Sequence, residues 1–551
     1  MPRDACGRGE SNVLCDQVPV GHHAAMNSTS PRPRAAPGAP GGDSRDAACD
    51  ARWPYLAVGT GAAIFFYLHL FRFPFVPIWH WGDQSIFLDH AEHMLRGEVL
   101  YRNLFQFNLP GTEYLYYFLF LCFGVRMWIA PLAVFITLTV ATSLVYSLSR
   151  TVLRGPAALL PAVAFALVDL RSSLDGAHHL YSTVLVFLAV NLIARARSSF
   201  SISCAGAVLG VSALFTSSRG VFVAIGVSLF FIWKLRDWRK ASQAIVALLA
   251  PFVAVIAAML AYLATTVAPY TLFESLVVFP LRYYPQGRFN TPAAFFAELS
   301  GVLPLRAYSV LPVGFWLASK TLAPALLIAF LVSRFLGKST ARRESPSHQI
   351  LVLCFLAGCF ALIGGTSSLS LPRMNCAVAF AYILGTAMLV EIGQRRLIAG
   401  LIALMAATAC VEMAVATMRP AYIFEAPRGS IFLLNRDRYE LISWLSRNGR
   451  PGDQLFGDPD LNFVLNFWNP ASVQWVEPGA FTRPEQVRGL LTALEQNHTR
   501  FIIWSAFVEQ PGPGDNLWPL RAYLNEHYHP AIGIGVGAEV LVANTDNLSG
   551  K

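Results

Sequence analysis

The sequence predicts a polytopic α-helical membrane protein with about 11 transmembrane helices, a long first outer loop carrying interfacial helices, and a small C-terminal extracytoplasmic α/β domain. Hydrophobic residues make up 55% of the 551 residues and charged residues only 14%, and the mean hydropathy is +0.47. Such a chain has too few charges to cover a soluble globule of this length. The net charge of +9 lies in short clusters between apolar runs, which indicates membrane orientation and excludes nucleic acid as a partner.

Three regions follow from composition. Residues 1–52 are rich in Gly, Pro, Ala and Arg without an apolar period, and this pattern predicts a disordered cytoplasmic tail. Residues 53–418 hold the apolar runs and predict the transmembrane domain. Residues 419–551 have the composition of a soluble domain.

Basic connections orient the chain in the membrane. Five short connections carry nearly all loop Arg and Lys, at 150–154, 195–197, 234–240, 334–343 and 395–396. The positive-inside rule makes these five cytoplasmic. Alternation then places the loops at 169–179, 216–220, 269–305 and 364–375 outside.

The run 112–123 is excluded as a crossing, because counting it would place all five basic clusters outside. At about 1.5 Å per residue it is also shorter than the roughly 30 Å hydrocarbon core. It is predicted to be a helix in the outer interface, with tyrosines at headgroup level. Eleven crossings remain, which place the N-terminus in the cytoplasm and the C-terminal domain outside: 55–78, 127–149, 157–169, 180–194, 201–216, 220–233, 243–266, 316–336, 349–363, 376–394 and 397–418.

The C-terminal region alternates predicted helices and strands. Helical spacing marks 439–447, 484–496 and 518–528, whereas 454–457, 500–504 and 539–543 have the pattern of strands. A small α/β layer domain is therefore expected. It shows no recognisable catalytic constellation, so we expect it to bind an acceptor or partner.

The most informative stretch is the loop after the first apolar run. It begins His80-Trp81-Gly82-Asp83-Gln84 and continues to Asn108-Leu109-Pro110-Gly111. An acid kept beside the bilayer is costly unless it has a function. Asp83 is accordingly a candidate general base, the alternative being an N-cap for the helix that follows it.

This loop in its setting resembles the C-type fold (GT-C) membrane glycosyltransferases, which include the protein O-mannosyltransferases, the lipid A aminoarabinose transferase and related lipopolysaccharide sugar transferases. The resemblance rests on an ordered set of elements that follows the first membrane run: Asp83, the segment 91–97, Tyr101-Arg102, the segment 107–111 and the aromatic segment 114–124.

The resemblance implies a membrane glycosyltransferase in a bacterial inner membrane. Such an enzyme moves a sugar from a polyprenyl-phosphate donor to a hydroxyl of a lipid, glycan or protein acceptor at the outer membrane face. Asp83 matches the family position of the base. The alternative is a non-catalytic relative, or a transporter or assembly protein of cell-envelope glycan.

The chain departs from the family near Asp83. Gln84 stands where many members have Glu, and Gln106 and Asn108 replace an acid and a Lys or His before the Pro. No metal ligands are therefore assigned, although a divalent metal is left open. Gln106 and Asn108 are expected either to orient acceptor or sugar by hydrogen bonds or to cap the next helix.

Arginines in the outer loops are the predicted ligands of the leaving phosphate, because a guanidinium donates two parallel hydrogen bonds to it. Arg282, next to Tyr283 in the long loop that in this family closes over the donor, is the first choice. Snorkelling at the interface is the alternative for any one of them. The candidates are Arg102, Arg219, Arg282, Arg288 and Arg373.

His178 and His179 share the second outer loop with Asp175 and Arg171. Adjacent histidines on a helix cannot both face one metal, and the spacing of a structural zinc site is absent. The pair is instead a candidate for hydrogen bonding to donor or acceptor, or an interfacial pair without such a role.

Overall fold

The computed structural model describes residues 44–287, 290, 310–336, 345–365, 371–512, 514–534 and 538–544. Residues 52–551 form one compact unit. Most of the described chain is helical. In chain order the helices are α1 (Ser44–Leu70), α2 (Gln84–Leu95), α3 (Gly111–Phe123), α4 (Ile129–Ser149), α5 (Leu159–Ala164), α6 (His178–Ala194), α7 (Ser199–Phe215), α8 (Ser217–Leu235), α9 (Trp238–Ala264), α10 (Pro269–Phe273), α11 (Val310–Leu336), α12 (Pro346–Gly365), α13 (Asn375–Glu391), α14 (Arg395–Met418), α15 (Arg436–Asn448), α16 (Pro459–Leu465), α17 (Pro484–Gln496), α18 (Ala506–Glu509) and α19 (Trp518–His527).

Each of the eleven predicted crossings contains a helix. Within the described residues, five helices are long and apolar enough to cross a membrane, namely α4, α8, α9, α12 and α14. Shorter apolar helical segments include Gly155–Asp169, α6, α7 and α13. The chain is thus a polytopic membrane protein, and the count of eleven crossings stays a prediction.

The first helix differs from its predicted bounds at both ends. It begins at Ser44, inside the segment predicted to be disordered, and ends at Leu70 instead of residue 78. A short hairpin follows, β1 (Phe71–Arg72) and β2 (Val76–Pro77). Pro74 and Pro77 lack the N–H that a helix interior needs, which disfavours continuation of the helix through this segment.

The first outer loop contains two helices, as predicted. Phe87, Leu88 and Ala91 form the buried apolar face of α2, and Gly97, at φ +90°, ends that helix. Helix α3 has 13 residues, or about 20 Å at 1.5 Å per residue. That length fits the predicted interfacial helix, whose position in the membrane stays a prediction.

A buried polar network joins three helical segments inside the membrane domain. Helix α5 continues as a π-helical turn to Asp169, whose Oδ1 accepts a 2.5 Å bond from Lys320 Nζ on α11. Asp169 Oδ2 accepts from the Tyr382 hydroxyl on α13 at 2.9 Å. Asn375 adds a 2.8 Å bond to Ser173 Oγ. Paired charges of this kind are the form in which ionisable groups are tolerated there.

The C-terminal region contains helices and a mixed sheet, and its being a separate α/β domain stays a prediction. Its four-stranded sheet has the order β5-β6-β8-β7, formed by Leu455–Phe456, Phe501–Ser505, Ala538–Ala543 and Tyr528–Ile534. β5 is parallel to β6, and the other pairs are antiparallel. Sequence analysis missed strand β7, helix α16 and an antiparallel hairpin, β3 (Tyr422–Ala426) with β4 (Gly429–Leu433).

This region packs directly on the first outer loop. Arg428 Nη2 donates to Glu92 Oε1 at 2.5 Å, and its Nη1 to the Phe463 carbonyl at 2.7 Å. Gln474 Nε2 donates to Asp89 Oδ2 at 2.7 Å. Helix α2 therefore lies between the membrane domain and the C-terminal layer.

Candidate active site in the outer loops

Asp83 lies at the first position before α2, where the chain enters the helix. Its side chain makes no capping hydrogen bond. The residue is open to solvent, yet protein atoms surround it, and this desolvation raises the pKa of Asp83 while the charge of Arg373 opposes the rise. Of the two roles that the sequence left open, the cap is not realised, so the carboxylate remains available.

The second outer loop is fastened to the first at Gly176. Its N–H donates to Gln84 Oε1 at 3.0 Å, and its carbonyl accepts from the Tyr116 hydroxyl at 3.0 Å. A Cβ at position 176 would lie 1.9 Å from the Tyr116 hydroxyl oxygen, so only glycine fits. Gln84, which replaces the Glu common in the resembled family, thus joins the two loops.

This fastening brings a second acid beside Asp83. The Asp175 side chain lies beside the backbone of Asp83, whose N–H favours the ionised form of the Asp175 carboxyl and so lowers its pKa slightly. It packs so closely over Gly82 that a Cβ there would lie 2.6 Å from Asp175 Oδ2. Burial, with the Asp83 charge as a lesser cause, raises the pKa of Asp175 to about 7. Two neighbouring carboxyls that resist joint ionisation are typical of acid–base sites.

Arg373 is the cation that acts on Asp83. Its guanidinium donates to the Tyr284 hydroxyl and lies 5.6 Å from the centre of that ring. We use the name Asp83 site for Asp83, Asp175, His178, His179 and Arg373.

Arg219 holds the loops of the Asp83 site together and is itself buried. Its Nη1 donates to the His179 carbonyl at 2.5 Å, and its Nη2 to the Arg373 carbonyl at 3.0 Å. Further bonds go to the hydroxyls of Ser182 and Thr183 at 2.8 and 2.7 Å. The terminal nitrogens of Arg219 are engaged by the protein in this structure, and its role as a phosphate ligand stays a prediction.

His178 and His179 open helix α6, and their ring centres are 3.8 Å apart. Nδ1 of each ring is buried without a hydrogen-bond partner. A buried polar atom without a partner is costly, and a ligand that supplies the missing bond relieves that cost.

Gln106 and Asn108 lie on the turn before α3. Gln106 Oε1 accepts from the N–H groups of Phe107 and Asn108 at 2.7 and 3.2 Å, and its amide donates to Glu113. Gln106 therefore shapes this turn and bonds to the first turn of α3. This bonding resembles the capping role that the sequence left open more than the role of orienting acceptor or sugar. The Asn108 carbonyl accepts from the Tyr101 hydroxyl at 2.5 Å, and Asn108 is half-buried.

Four other predicted residues either make their contacts with residues outside the Asp83 site or lie outside the described residues. Arg102 is exposed and contacts Asn103. Arg282 is exposed beside the Tyr283 ring, at 5.4 Å. Tyr283 belongs to an aromatic cluster with Phe279. Arg288 lies outside the described residues.

A divalent metal was left open by the sequence, and the site offers little to hold one. Across the described ranges, no group of three or more His, Cys, Asp or Glu side chains is placed to bind a metal ion. Asp83 and Asp175 supply two carboxylates, which is fewer than the three side chains of such a group.

Sequence reasoning missed the pairing of Asp175 with Asp83. The signal was present, since Asp175 follows a predicted crossing on the outer side as Asp83 does. It also missed that Arg373, one of five candidate arginines, is the one beside the acid. No local sequence pattern indicates that Asp175 pairs with Asp83 or that Arg373 lies beside them.

Comparison with known proteins was made at the levels of sequence and structure. No family model and no curated protein matches the sequence. Among solved structures, ArnT of Cupriavidus metallidurans bound to undecaprenyl phosphate is 13% identical with a TM-score of 0.46, covering 90% of this chain and 98% of that one. AglB, an oligosaccharyltransferase of Archaeoglobus fulgidus in complex with an inhibitory peptide and a dolichol-phosphate, is 14% identical with a TM-score of 0.47, covering 87% and 73%.

A third match is an A. fulgidus oligosaccharyltransferase in complex with Zn and sulfate. It is 14% identical with a TM-score of 0.44, and the match covers 81% of this chain and 67% of that one. At these identities and TM-scores the matches establish neither a family nor a function for this chain. The resemblance expected from the sequence stays an expectation.

Proposed function

We propose that the protein is a membrane glycosyltransferase that uses the Asp83 site to move a sugar from a polyprenyl-phosphate donor to a hydroxyl acceptor at the outer face. The observation that carries the proposal is the pairing of Asp83, which is exposed to solvent, with Asp175 beside Arg373. The donor class and the choice among lipid, glycan and protein acceptors come from the sequence resemblance.

In the proposed reaction the acceptor hydroxyl oxygen attacks the anomeric carbon of the donor sugar. The bond from that carbon to the phosphate oxygen breaks, and its electron pair leaves with the phosphate. The hydroxyl proton passes to the Asp83 carboxylate. Arg373, with its forked donors, stabilises the negative charge on the leaving phosphate.

Asp175 holds the base in place in this proposal. Its carboxyl packs against the backbone at Gly82. Because its pKa is raised to about 7, part of the Asp175 population stays protonated near neutral pH, whereas a lone surface Asp would be ionised. Asp83 can then remain ionised beside a neutral partner. Nδ1 of His178 and Nδ1 of His179 are buried without a partner, and in this proposal a donor or acceptor oxygen supplies the missing bond.

Asp83→Asn tests the proposal. The amide keeps the size of the side chain and removes the proton acceptor, so we expect transfer to fall by about 10² to 10⁴. The measurement is transfer from a purified polyprenyl-phosphate sugar, beside thermal stability in detergent. Full activity of a stably folded Asp83→Asn protein would contradict the assignment. Asp437→Asn, at an exposed position on α15, is the matched control.

A further inference from the structure

A second polar cavity lies at the outer end of the membrane domain, apart from the Asp83 site. Its volume is about 210 Å³, several times the roughly 30 Å³ that one water occupies in the liquid. Two arginines, Arg171 and Arg419, and two histidines, His69 and His80, line it, and the remaining lining is aliphatic. We call it the Arg171–Arg419 cavity.

The cavity carries a net positive charge. Within the described residues its nearby acid is Glu412, which is buried and paired with Arg171 at 2.8 Å. Arg419 is half-buried, and its charge acts on Arg171, His80 and Glu412. One acid therefore faces two guanidinium groups, which leaves one positive charge in a partly enclosed space.

His80 adds no further charge to this balance. His80 Nε2 lies 3.0 Å from the His69 carbonyl oxygen, and His69 Nδ1 lies 2.8 Å from that of Phe65. Burial lowers the pKa of His80 to about 4, so its ring is neutral at physiological pH. The excess charge thus belongs to arginine, whose fork suits phosphate oxygens.

Apolar groups beside the cavity indicate where its ligand comes from. Met418, next to Arg419, is 80% exposed, and Phe73 in the β1–β2 hairpin is 90% exposed. Arg72 ties this hairpin to the end of α14 by bonds to the carbonyls of Thr417 and Arg419, at 2.7 and 2.9 Å. Exposed apolar side chains at the ends of membrane helices are covered by lipid.

We propose that the Arg171–Arg419 cavity binds the phosphate of an anionic membrane lipid, whose apolar tail lies along the surface marked by Phe73 and Met418. The site is separate from the donor phosphate site, and it stands whether or not the protein transfers sugar. His80 and Leu174, which line the cavity, lie three residues before Asp83 and one before Asp175. An occupied cavity therefore supports both loops that carry the acids.

The test uses the full chain purified in neutral detergent and measures the shift of its thermal unfolding midpoint with added ligand. The probes are dihexanoyl phosphatidic acid, dihexanoyl phosphatidylcholine and inorganic phosphate. We expect saturable stabilisation by phosphatidic acid. Phosphatidylcholine and inorganic phosphate should bind at least about tenfold more weakly. Phosphatidylcholine lacks the net negative charge, and inorganic phosphate lacks the apolar tail.

Variants locate the binding. Arg419→Gln should weaken binding of phosphatidic acid by about tenfold or more, the range of a charged hydrogen bond, and Arg419→Lys should weaken it less. Ala416→Leu fills the cavity without changing charge and should also weaken binding. Arg436→Gln, in an exposed pair with Glu440, is the matched control and should bind like the parent protein.

Three results would overturn the proposal. The first is equal binding by Arg419→Gln and the parent, judged beside the unliganded midpoint of each. The second is inorganic phosphate binding as tightly as the lipid, which would make the ligand a free anion. The third is loss of binding in Arg373→Lys with retention in Arg419→Gln, which would move the lipid to the Asp83 site. Failure of the proposed function would show instead as an active Asp83→Asn enzyme.

Discussion

Single residues decide the chemistry through their environment. The Asp83 carboxylate is unused by the helix it precedes, Asp175 is pressed against the backbone of residues 82 and 83, and Arg373 supplies the nearby charge. Ionising both carboxyls of this pair costs free energy. This cost can be measured as a change of protein stability with pH.

Asp175→Asn should change how stability depends on pH. The pKa of Asp175 is raised from 3.8 to about 7, so the folded protein keeps a proton that the unfolded chain loses. The stabilisation that comes from this retained proton is fully present below about pH 4, and it is lost as the pH rises to about 7. Asparagine stays neutral, so the variant should gain stability relative to the parent across that window. Unfolding midpoints from pH 4 to 8 check this, and a constant difference would contradict it.

Arg373→Lys should weaken donor binding more than Arg282→Lys does. Lysine keeps the charge but loses the two-pronged donor. Because Arg373 lies beside Asp83 and Arg282 is exposed next to Tyr283, we expect the KM for donor to rise about tenfold for the first and less than about threefold for the second. The sequence alone favoured Arg282, so the reverse order would restore that assignment.

At the scale of elements, the two outer loops act as one unit through Gly176. Gln84 and Tyr116 both hold it, and Tyr116 also meets the Tyr181 hydroxyl at 2.8 Å. Asp83 and Asp175 depend on this link because they come from different loops. Loosening the link separates the acids without changing either of them.

Gly176→Ala should therefore lower both stability and transfer. The added Cβ would meet the Tyr116 hydroxyl oxygen at 1.9 Å, so one loop must move, at a cost of about 1–3 kcal/mol. Gly61→Ala is the matched control, because no atom lies within 4 Å of its added Cβ. Unfolding midpoints and transfer rates are measured together. A Gly176→Ala protein as stable and active as Gly61→Ala would show that the link does not matter.

Elements with a strong local pattern were predictable, and those defined by distant partners were not. Helix α17 was placed at residues 484–496, where it is observed, because Pro at its start and a regular apolar spacing mark it. The β3–β4 hairpin was missed because its five-residue strands are short and gain their packing from α15 and the outer loop. For the same reason Asp83 was found from its local setting, whereas its pairing with Asp175 was not.

At the scale of the whole molecule, the C-terminal layer and the first outer loop share one core. Residues 52–551 form a single compact unit, and buried contacts such as Gln474 with Asp89 and Trp79 with Asp460 cross from one region to the other. We therefore expect the C-terminal region to support α2, in addition to the acceptor or partner binding predicted from the sequence. Truncation after residue 420 should unfold the outer loop.

Arg428→Ala tests this dependence with a smaller change. It removes the buried partner of Glu92 and leaves that acid with Arg96 at 2.9 Å. Breaking a buried ion pair costs about 3 kcal/mol or more, so the unfolding midpoint in detergent should fall clearly. Arg436→Ala, in an exposed pair, should change stability by about 1 kcal/mol or less. Equal midpoints for the two variants would argue for an independent C-terminal domain.

The buried network around Asp169 sets an order on the biogenesis of this protein. Lys320 follows Asp169 by 151 residues and Tyr382 by 213. A nascent chain therefore contains this acid well before either partner leaves the ribosome. The bonds of Asp169 to Lys320 and Tyr382 can form only after α11 and α13 have been made. Assembly of the membrane domain is thus completed late, when the last partners of that acid have been inserted.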